Sequence, residues 1–65
     1  MNLPQEIKKR RLEMSINQEQ LAKKVGVTQA SISDWEKGKY VPRFKVLMRL
    51  SKVLKFSIKE LKEAT

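Results

Sequence analysis

The sequence predicts an all-α fold of five helices. Apolar residues recur at three- and four-residue spacing, which puts them on one face of a helix, and helix-capping residues precede several of these segments. No segment is predicted to be a strand. Because the chain has 65 residues, it has room for one small core, and we expect residues 1–65 to form a single domain.

The first helix is predicted to begin at Asn2. Pro4 then lies in its first turn, where the missing N–H of proline costs nothing. The inward stripe of this helix has helical spacing and contains one charged residue: Leu3, Ile7, Arg11 and Met14.

The second helix is predicted to start after Asn17. With Gln20 three residues on, Asn17 forms a capping box, in which each side chain bonds the other residue's backbone N–H. The helix is expected to run to about Val25, and Gly26 then supplies a left-handed turn that is cheap only without a Cβ. The segment also has apolar anchors and one small residue suited to a close helix crossing: Leu21, Ala22, Val25 and Val27.

Thr28 is predicted to cap the third helix, which ends near Lys37 and is followed by Gly38. Ile32 and Trp35, three residues apart, are expected to face the core. The opposite face is left to polar and small residues: Thr28, Gln29, Ala30, Ser33, Asp34 and Lys37.

The last two predicted helices follow an extended link over residues 39–42, because the residue before a proline is disfavoured in a helix. Ser57 and Glu60 form another capping box, which predicts a short fifth helix through Leu61. The fourth helix has an apolar stripe with helical spacing: Phe44, Leu47, Leu50, Val53 and Leu54.

The charge balance points to an acidic partner. Fifteen Lys and Arg against seven Asp and Glu give a net charge of +8, which favours binding to nucleic acid. The alternative is a solvated basic surface that only keeps the protein in solution.

Composition also excludes several classes of protein. The chain has no Cys and no His, so disulfides, the commonest metal ligands and the side chain most used for proton transfer are missing. We therefore expect no metal site, no cofactor and no enzymatic activity. Neither a signal sequence nor a membrane-spanning run is predicted, and we expect a cytoplasmic protein.

One set of residues stands at fixed spacing between positions 18 and 42: Gln18, Leu21, Ala22, Gly26, Val27, Thr28, Ile32, Ser33, Trp35, Glu36, Gly38 and Pro42. This pattern resembles the helix-turn-helix of the lambdoid phage repressor and Cro family, and the similarity extends from about residue 5 to residue 62. The resemblance implies a compact five-helix repressor-like DNA-binding domain whose second and third helices form the helix-turn-helix. It also implies a sequence-specific transcriptional regulator, most often a repressor that occupies an operator.

The resemblance implies that the start of the third helix enters the major groove and reads bases. Gln29 is suited to bond N6 and N7 of adenine together, although it would also suit a solvated helix start. Ala30 offers a methyl group to thymine or simply favours the helix, and Ser33 suits a base or a phosphate. Asp34 either accepts from cytosine N4 or, as we favour, lies to one side of the groove and repels unsuitable sites.

A second set is expected to bind DNA phosphates: Asn17, Gln18, Thr28, Lys37, Lys39, Tyr40 and Arg43. Gln18 begins the second helix, whose N-terminal N–H groups attract phosphate, and the family uses a glutamine here on the DNA backbone. Capping by Asn17 and Thr28 is compatible with this role. Arg43 stands where related sequences more often place a Ser, Thr or Asp cap, which weakens the cap and favours phosphate binding.

The resemblance further implies a partly buried ion pair between Arg11 and Glu36 and a contact between two copies near the fifth helix. The residues beside Arg11 are expected to form a solvated basic face: Lys8, Lys9 and Arg10. The candidates for the contact between copies are Lys55, Phe56, Ser57 and Ile58, of which Phe56 suits the core equally well.

One domain of this size touches one half-site, so we expect a weak homodimer that forms mainly on a two-fold double-stranded DNA operator. The alternative function is that of an antitoxin or accessory module, which uses the same fold to hold a partner protein.

Overall fold

A computed structural model describes residues 2–59, which contain four α-helices and no strand. The helices are Leu3–Glu13 (α1), Gln18–Val25 (α2), Gln29–Glu36 (α3) and Phe44–Leu54 (α4). α3 packs against α1 and α2, and α4 packs against the same two helices. The all-helical prediction is therefore confirmed for this part of the chain. None of these helices is long and apolar enough to cross a membrane.

The predicted starts of the first three helices are confirmed. The Asn2 side chain accepts the backbone N–H of Gln5 at 3.2 Å and caps α1. At α2, the Gln20 N–H donates to Asn17 Oδ1 at 2.7 Å, and the Asn17 N–H donates to Gln20 Oε1 at 2.8 Å. Thr28 caps α3 by accepting the backbone N–H three residues on, so all three starts depend on local hydrogen bonds that the sequence specifies.

The turn between α2 and α3 has the conformation expected of its glycine. Gly26 has φ 85°, in the left-handed region, and its N–H donates to the Ala22 carbonyl at 2.8 Å. The N–H of Val27 donates to the same carbonyl at 3.0 Å. This turn closes the end of α2 and fixes the angle at which α3 leaves it.

The core lies between the four helices. Ile32 is fully buried and Trp35 is 8% exposed, which confirms the predicted inward face of α3. The small side chain of Ala22 is also buried, as expected of a residue suited to a close helix crossing. The buried apolar residues come from every helix and from the segment after α4: Leu3, Ile7, Leu21, Ala22, Val25, Ile32, Trp35, Leu50, Leu54 and Phe56.

The predicted count of five helices is not confirmed. After α4, residues 58 and 59 have 3₁₀ rather than α-helical geometry. Glu60 and Leu61, on which the predicted fifth helix depends, lie outside the described residues.

Two apolar residues that the spacing predicted to face the core are exposed. Phe44 is 65% exposed at the first position of α4, whereas Leu50 and Leu54, toward the other end of that helix, are buried in the core. Met14 is 39% exposed because α1 ends at Glu13, one residue before it. Helical spacing predicts a stripe, but not how far the neighbouring helices cover it.

Candidate nucleic-acid interface

The outward face of α3 presents a polar and small-residue surface at its N-terminal end. Gln29 and Ala30 are exposed, while Ser33 and Asp34 are half-buried one turn further along. Lys37, just past the helix, is exposed. A polymer that approached the start of α3 would therefore meet Gln29 and Ala30 first.

A side-chain hydrogen bond joins the start of α2 to the end of α3. Gln18 is half-buried, and its Nε2 donates to Glu36 Oε1 at 3.1 Å. This contact uses one of the two amide hydrogens of Gln18. It also orients the amide, since a carboxylate only accepts and Nε2 must therefore face Glu36. The residue before it, Asn17, is exposed and caps α2.

Glu36 also accepts two hydrogen bonds from Arg11. Arg11 Nε donates to Glu36 Oε2 at 2.7 Å and Nη2 donates to Oε1 at 3.1 Å, with side chains 9% and 6% exposed. Arg11 Nη1 donates to the Ile16 carbonyl at 3.0 Å. The hydrogen bond to Glu36 raises the pKa of Arg11 above its ordinary value, burial opposes this, and the charge of Glu36 adds to it. This network joins α1, α2 and α3.

The segment after α3 is basic and largely exposed. Residues 37–59 contain eight Lys and Arg and no Asp or Glu, so the local field attracts a polyanion. The N–H of Lys39 donates to the Asp34 carbonyl at 2.9 Å, which ties the segment to the end of α3. Pro42 is buried. Arg43 is the N-cap residue of α4, and its side chain makes no capping hydrogen bond, as expected where an arginine replaces a Ser, Thr or Asp cap.

The residues predicted to contact a second copy differ in exposure. Phe56 is 7% exposed and belongs to the core, so the prediction of Phe56 as an intermolecular contact is wrong and its core alternative is right. The reason is the left-handed conformation of Lys55, with φ 61°, which turns the chain back onto the domain. Lys55 and Ser57 are exposed, and Ile58 is half-buried.

Two features of the surface were not predicted from the sequence. Arg10 is half-buried and hydrogen-bonded, not solvated, and its spacing from Glu6 is the four residues typical of helical ion pairs. Large apolar side chains are exposed on the link and on α4: Tyr40, Val41, Phe44 and Met48. Of these, only Phe44 belongs to the apolar stripe that predicted the inward face of the fourth helix.

Within the described part of the chain, no three His, Cys, Asp or Glu side chains come together as metal ligands would. No buried side-chain nitrogen or oxygen there lacks a hydrogen-bond partner. The candidate interface consists of the exposed surface of α3 and the basic segment after it.

Comparison with known families identifies this arrangement. The family model described as helix-turn-helix matches residues 7–61. The chain belongs to the helix-turn-helix family. α2 and α3 are the two helices of the motif, and the turn between them is centred on Gly26.

Two relatives of this helix-turn-helix protein are HTH-type transcriptional regulators. An uncharacterised HTH-type transcriptional regulator of Archaeoglobus fulgidus is 38% identical over 55 residues, which cover 85% of this chain and 78% of the relative. Another from Methanothermobacter thermautotrophicus is 40% identical over 48 residues, covering 74% and 70%.

Two solved structures are also similar. The crystal structure of the P22 c2 repressor in complex with a synthetic operator has a TM-score of 0.84 and 37% identity, over 88% of this chain and 86% of that one. The solution structure of the DNA-binding domain of the same repressor has a TM-score of 0.85 and 36% identity, over 94% and 80%.

Proposed function

We propose that this helix-turn-helix transcriptional regulator is a repressor that binds a two-fold operator in double-stranded DNA and acts by occupying it. The observation that carries the proposal is the exposure of Gln29 and Ala30 at the start of α3, while Ile32 and Trp35 bury the opposite face. A helix held in this way presents its N-terminal residues to the major groove. The similarity to a repressor solved with its operator supports the same orientation.

Base recognition is assigned to the exposed face of α3. Gln29 bonds the N6 and N7 atoms of adenine, and the Ala30 methyl contacts a thymine methyl. Ser33 is half-buried and reaches a base or a phosphate at the margin of the contact. Asp34, also half-buried, lies to one side and disfavours sites that bring a phosphate close to it.

Phosphate binding is assigned to residues on either side of α3. Gln18 retains one amide hydrogen after its bond to Glu36, and it lies at the N-terminus of α2, where the helix dipole attracts an anion. The exposed side chains of the basic segment contribute charge and donors. The complete set is Asn17, Gln18, Thr28, Lys37, Lys39, Tyr40 and Arg43.

Two copies are needed for a two-fold operator. The longest dimension of the domain is 27 Å, whereas half-site centres one helical turn apart are separated by about 34 Å. One copy therefore occupies one half-site, and DNA raises the effective concentration at which two copies meet. We assign the contact between copies to Lys55, Ser57 and Ile58, and we expect the homodimer to be weak without DNA.

Selection of bound sites from a random double-stranded DNA pool tests the proposal. We expect a palindrome with a clear half-site. Gln29→Ala should then weaken binding by about 1–3 kcal/mol at one base position and relax the preference there. Gln5→Ala is a matched control, because Gln5 is also an exposed glutamine near a helix start. If Gln29→Ala weakens binding equally on all DNA sequences, Gln29 does not recognise a base. If the selection enriches no motif, the proposal of a specific operator is refuted.

One observation favours the alternative function, a module that holds a partner protein. The exposed apolar residues Tyr40, Val41, Phe44 and Met48 would suit a protein contact as well as a solvent-facing surface. That function would be supported in place of repression by two results together: the selection enriches no DNA motif, and the Phe44→Ser variant no longer binds a protein partner that the unchanged protein binds.

A further inference from the structure

Arg10 joins the first helix to the end of the last one. Its Nη1 donates to the carbonyl of Leu54 at 3.4 Å and to that of Lys55 at 2.8 Å. Its Nε donates to the Glu6 carboxylate one turn earlier in α1. The guanidinium carbon lies 5.9 Å from the centroid of the Phe56 ring. One side chain thus contacts three consecutive residues at the point where α4 ends.

The contacted segment needs such support. Lys55 has φ 61°, a left-handed conformation that is unfavourable for a residue with a Cβ. Carbonyl groups at the C-terminus of a helix carry partial negative charge, so a cation there is favourable. Hydrogen bonds from a charged donor are about twice as strong as neutral ones. Arg10 therefore stabilises the turn at Lys55 in one conformation.

The helix-turn-helix itself does not depend on Arg10. α1 is held to the core by Leu3 and Ile7, which are buried, and to α3 by the Arg11–Glu36 pair. The contacts of Arg10 run instead to the segment in which Ser57 and Ile58 follow the turn. The placement of these two residues follows from the conformation of Lys55 and from the buried Phe56 that directly precedes them.

We propose that Arg10 is a positioning residue for the pairing of two copies on the operator. By holding the turn, it sets the orientation of the surface formed by Lys55, Ser57 and Ile58. This inference rests on the proposed function, in which that surface meets a second copy on two-fold DNA.

The test compares Arg10→Met with Lys9→Met. Methionine keeps an apolar stem over Phe56 but removes the charge and the donors, and Lys9 is the exposed neighbour that loses the same charge. Each variant and the unchanged protein are titrated with a half-site and with the whole two-fold operator found by selection. The ratio of the two affinities gives the cooperativity factor. Far-UV circular dichroism at the same temperature checks that each variant is folded.

We expect Arg10→Met to lower the cooperativity factor about tenfold relative to Lys9→Met, while the half-site affinities of the two variants agree within about twofold. Arg10→Lys keeps the charge but lacks the planar set of donors, so it should lower the factor by about threefold. If Arg10→Met fails to fold, Arg10→Lys carries the comparison.

Equal cooperativity in Arg10→Met and Lys9→Met would overturn the positioning role and leave the pairing of copies intact. Equal proportional losses on half-site and whole operator would also overturn it, because Arg10 would then act only on folding. Independent filling of half-sites by the unchanged protein would overturn the pairing itself, and the inference with it. That outcome is measured before any variant is made, so the two failures are distinguishable.

Discussion

Removal of the Glu36 carboxylate should destabilise the domain severely. Glu36 accepts two hydrogen bonds from Arg11 and one from Gln18, and both members of the ion pair are more than nine-tenths buried. In Glu36→Leu, the guanidinium of Arg11 keeps only the Ile16 carbonyl as a partner. Stranding a buried charge in this way costs about 3–5 kcal/mol.

That loss is large for a chain of 65 residues, whose whole stability is expected to be about 3–10 kcal/mol. Each kcal/mol corresponds to at least about 4 °C in the unfolding midpoint of a domain this size. We therefore expect the midpoint of Glu36→Leu to fall by at least about 12 °C, as measured by thermal unfolding with far-UV circular dichroism.

A double-mutant cycle separates the ion pair from other effects. In Arg11→Met combined with Glu36→Leu, apolar side chains replace both charges, and such replacements are often close to neutral. We expect the double variant to recover at least half of the loss in Glu36→Leu. A fall of less than about 4 °C in Glu36→Leu, or strictly additive losses in the double variant, would refute the reasoning.

Two further predictions concern the core and the DNA contact. Trp35→Ala should destabilise the domain by about 3–5 kcal/mol, because it leaves a large cavity beneath α3. The measurement is chemical unfolding followed by circular dichroism. An unchanged unfolding midpoint would contradict the observed burial of Trp35. Lys39→Ala and Arg43→Ala should each reduce the slope of log affinity against log salt by about one, alike on all DNA sequences. Val41→Ser is the control, because it changes an exposed residue of the same segment without changing the charge, and it should leave that slope unchanged. If all three variants have equal slopes, neither Lys39 nor Arg43 binds phosphate.

Much of the candidate site was predictable because it depends on neighbours in the sequence. The capping box of Asn17 and Gln20 and the left-handed Gly26 involve residues within four positions of one another. The inward Ile32 and Trp35 determine the outward face of α3, on which Gln29 was predicted to be exposed. The amphipathic period and the capping chemistry therefore predicted α1 to α4 and the surface that α3 presents.

Other properties depend on residues far apart in the chain. Gln18 bonds Glu36, which is 18 positions away, and Arg10 bonds the carbonyl of Lys55, which is 45 positions away. Neither contact leaves a signal in the spacing of residues. Gln18 was predicted to bind phosphate and Arg10 to be solvated, and neither prediction included the bond by which the fold ties each residue to a distant segment.

The sequence by itself determined α1 to α4, the caps of the first three helices, the turn between α2 and α3 and the basic charge, because local hydrogen bonds and side-chain types decide these. Only the tertiary structure decided that Phe56 is buried and that Phe44 is exposed. Both are aromatic residues near an end of α4, and what distinguishes them is the neighbouring surface each one meets. That surface is built by α1 and α2, and it exists only once the helices have packed.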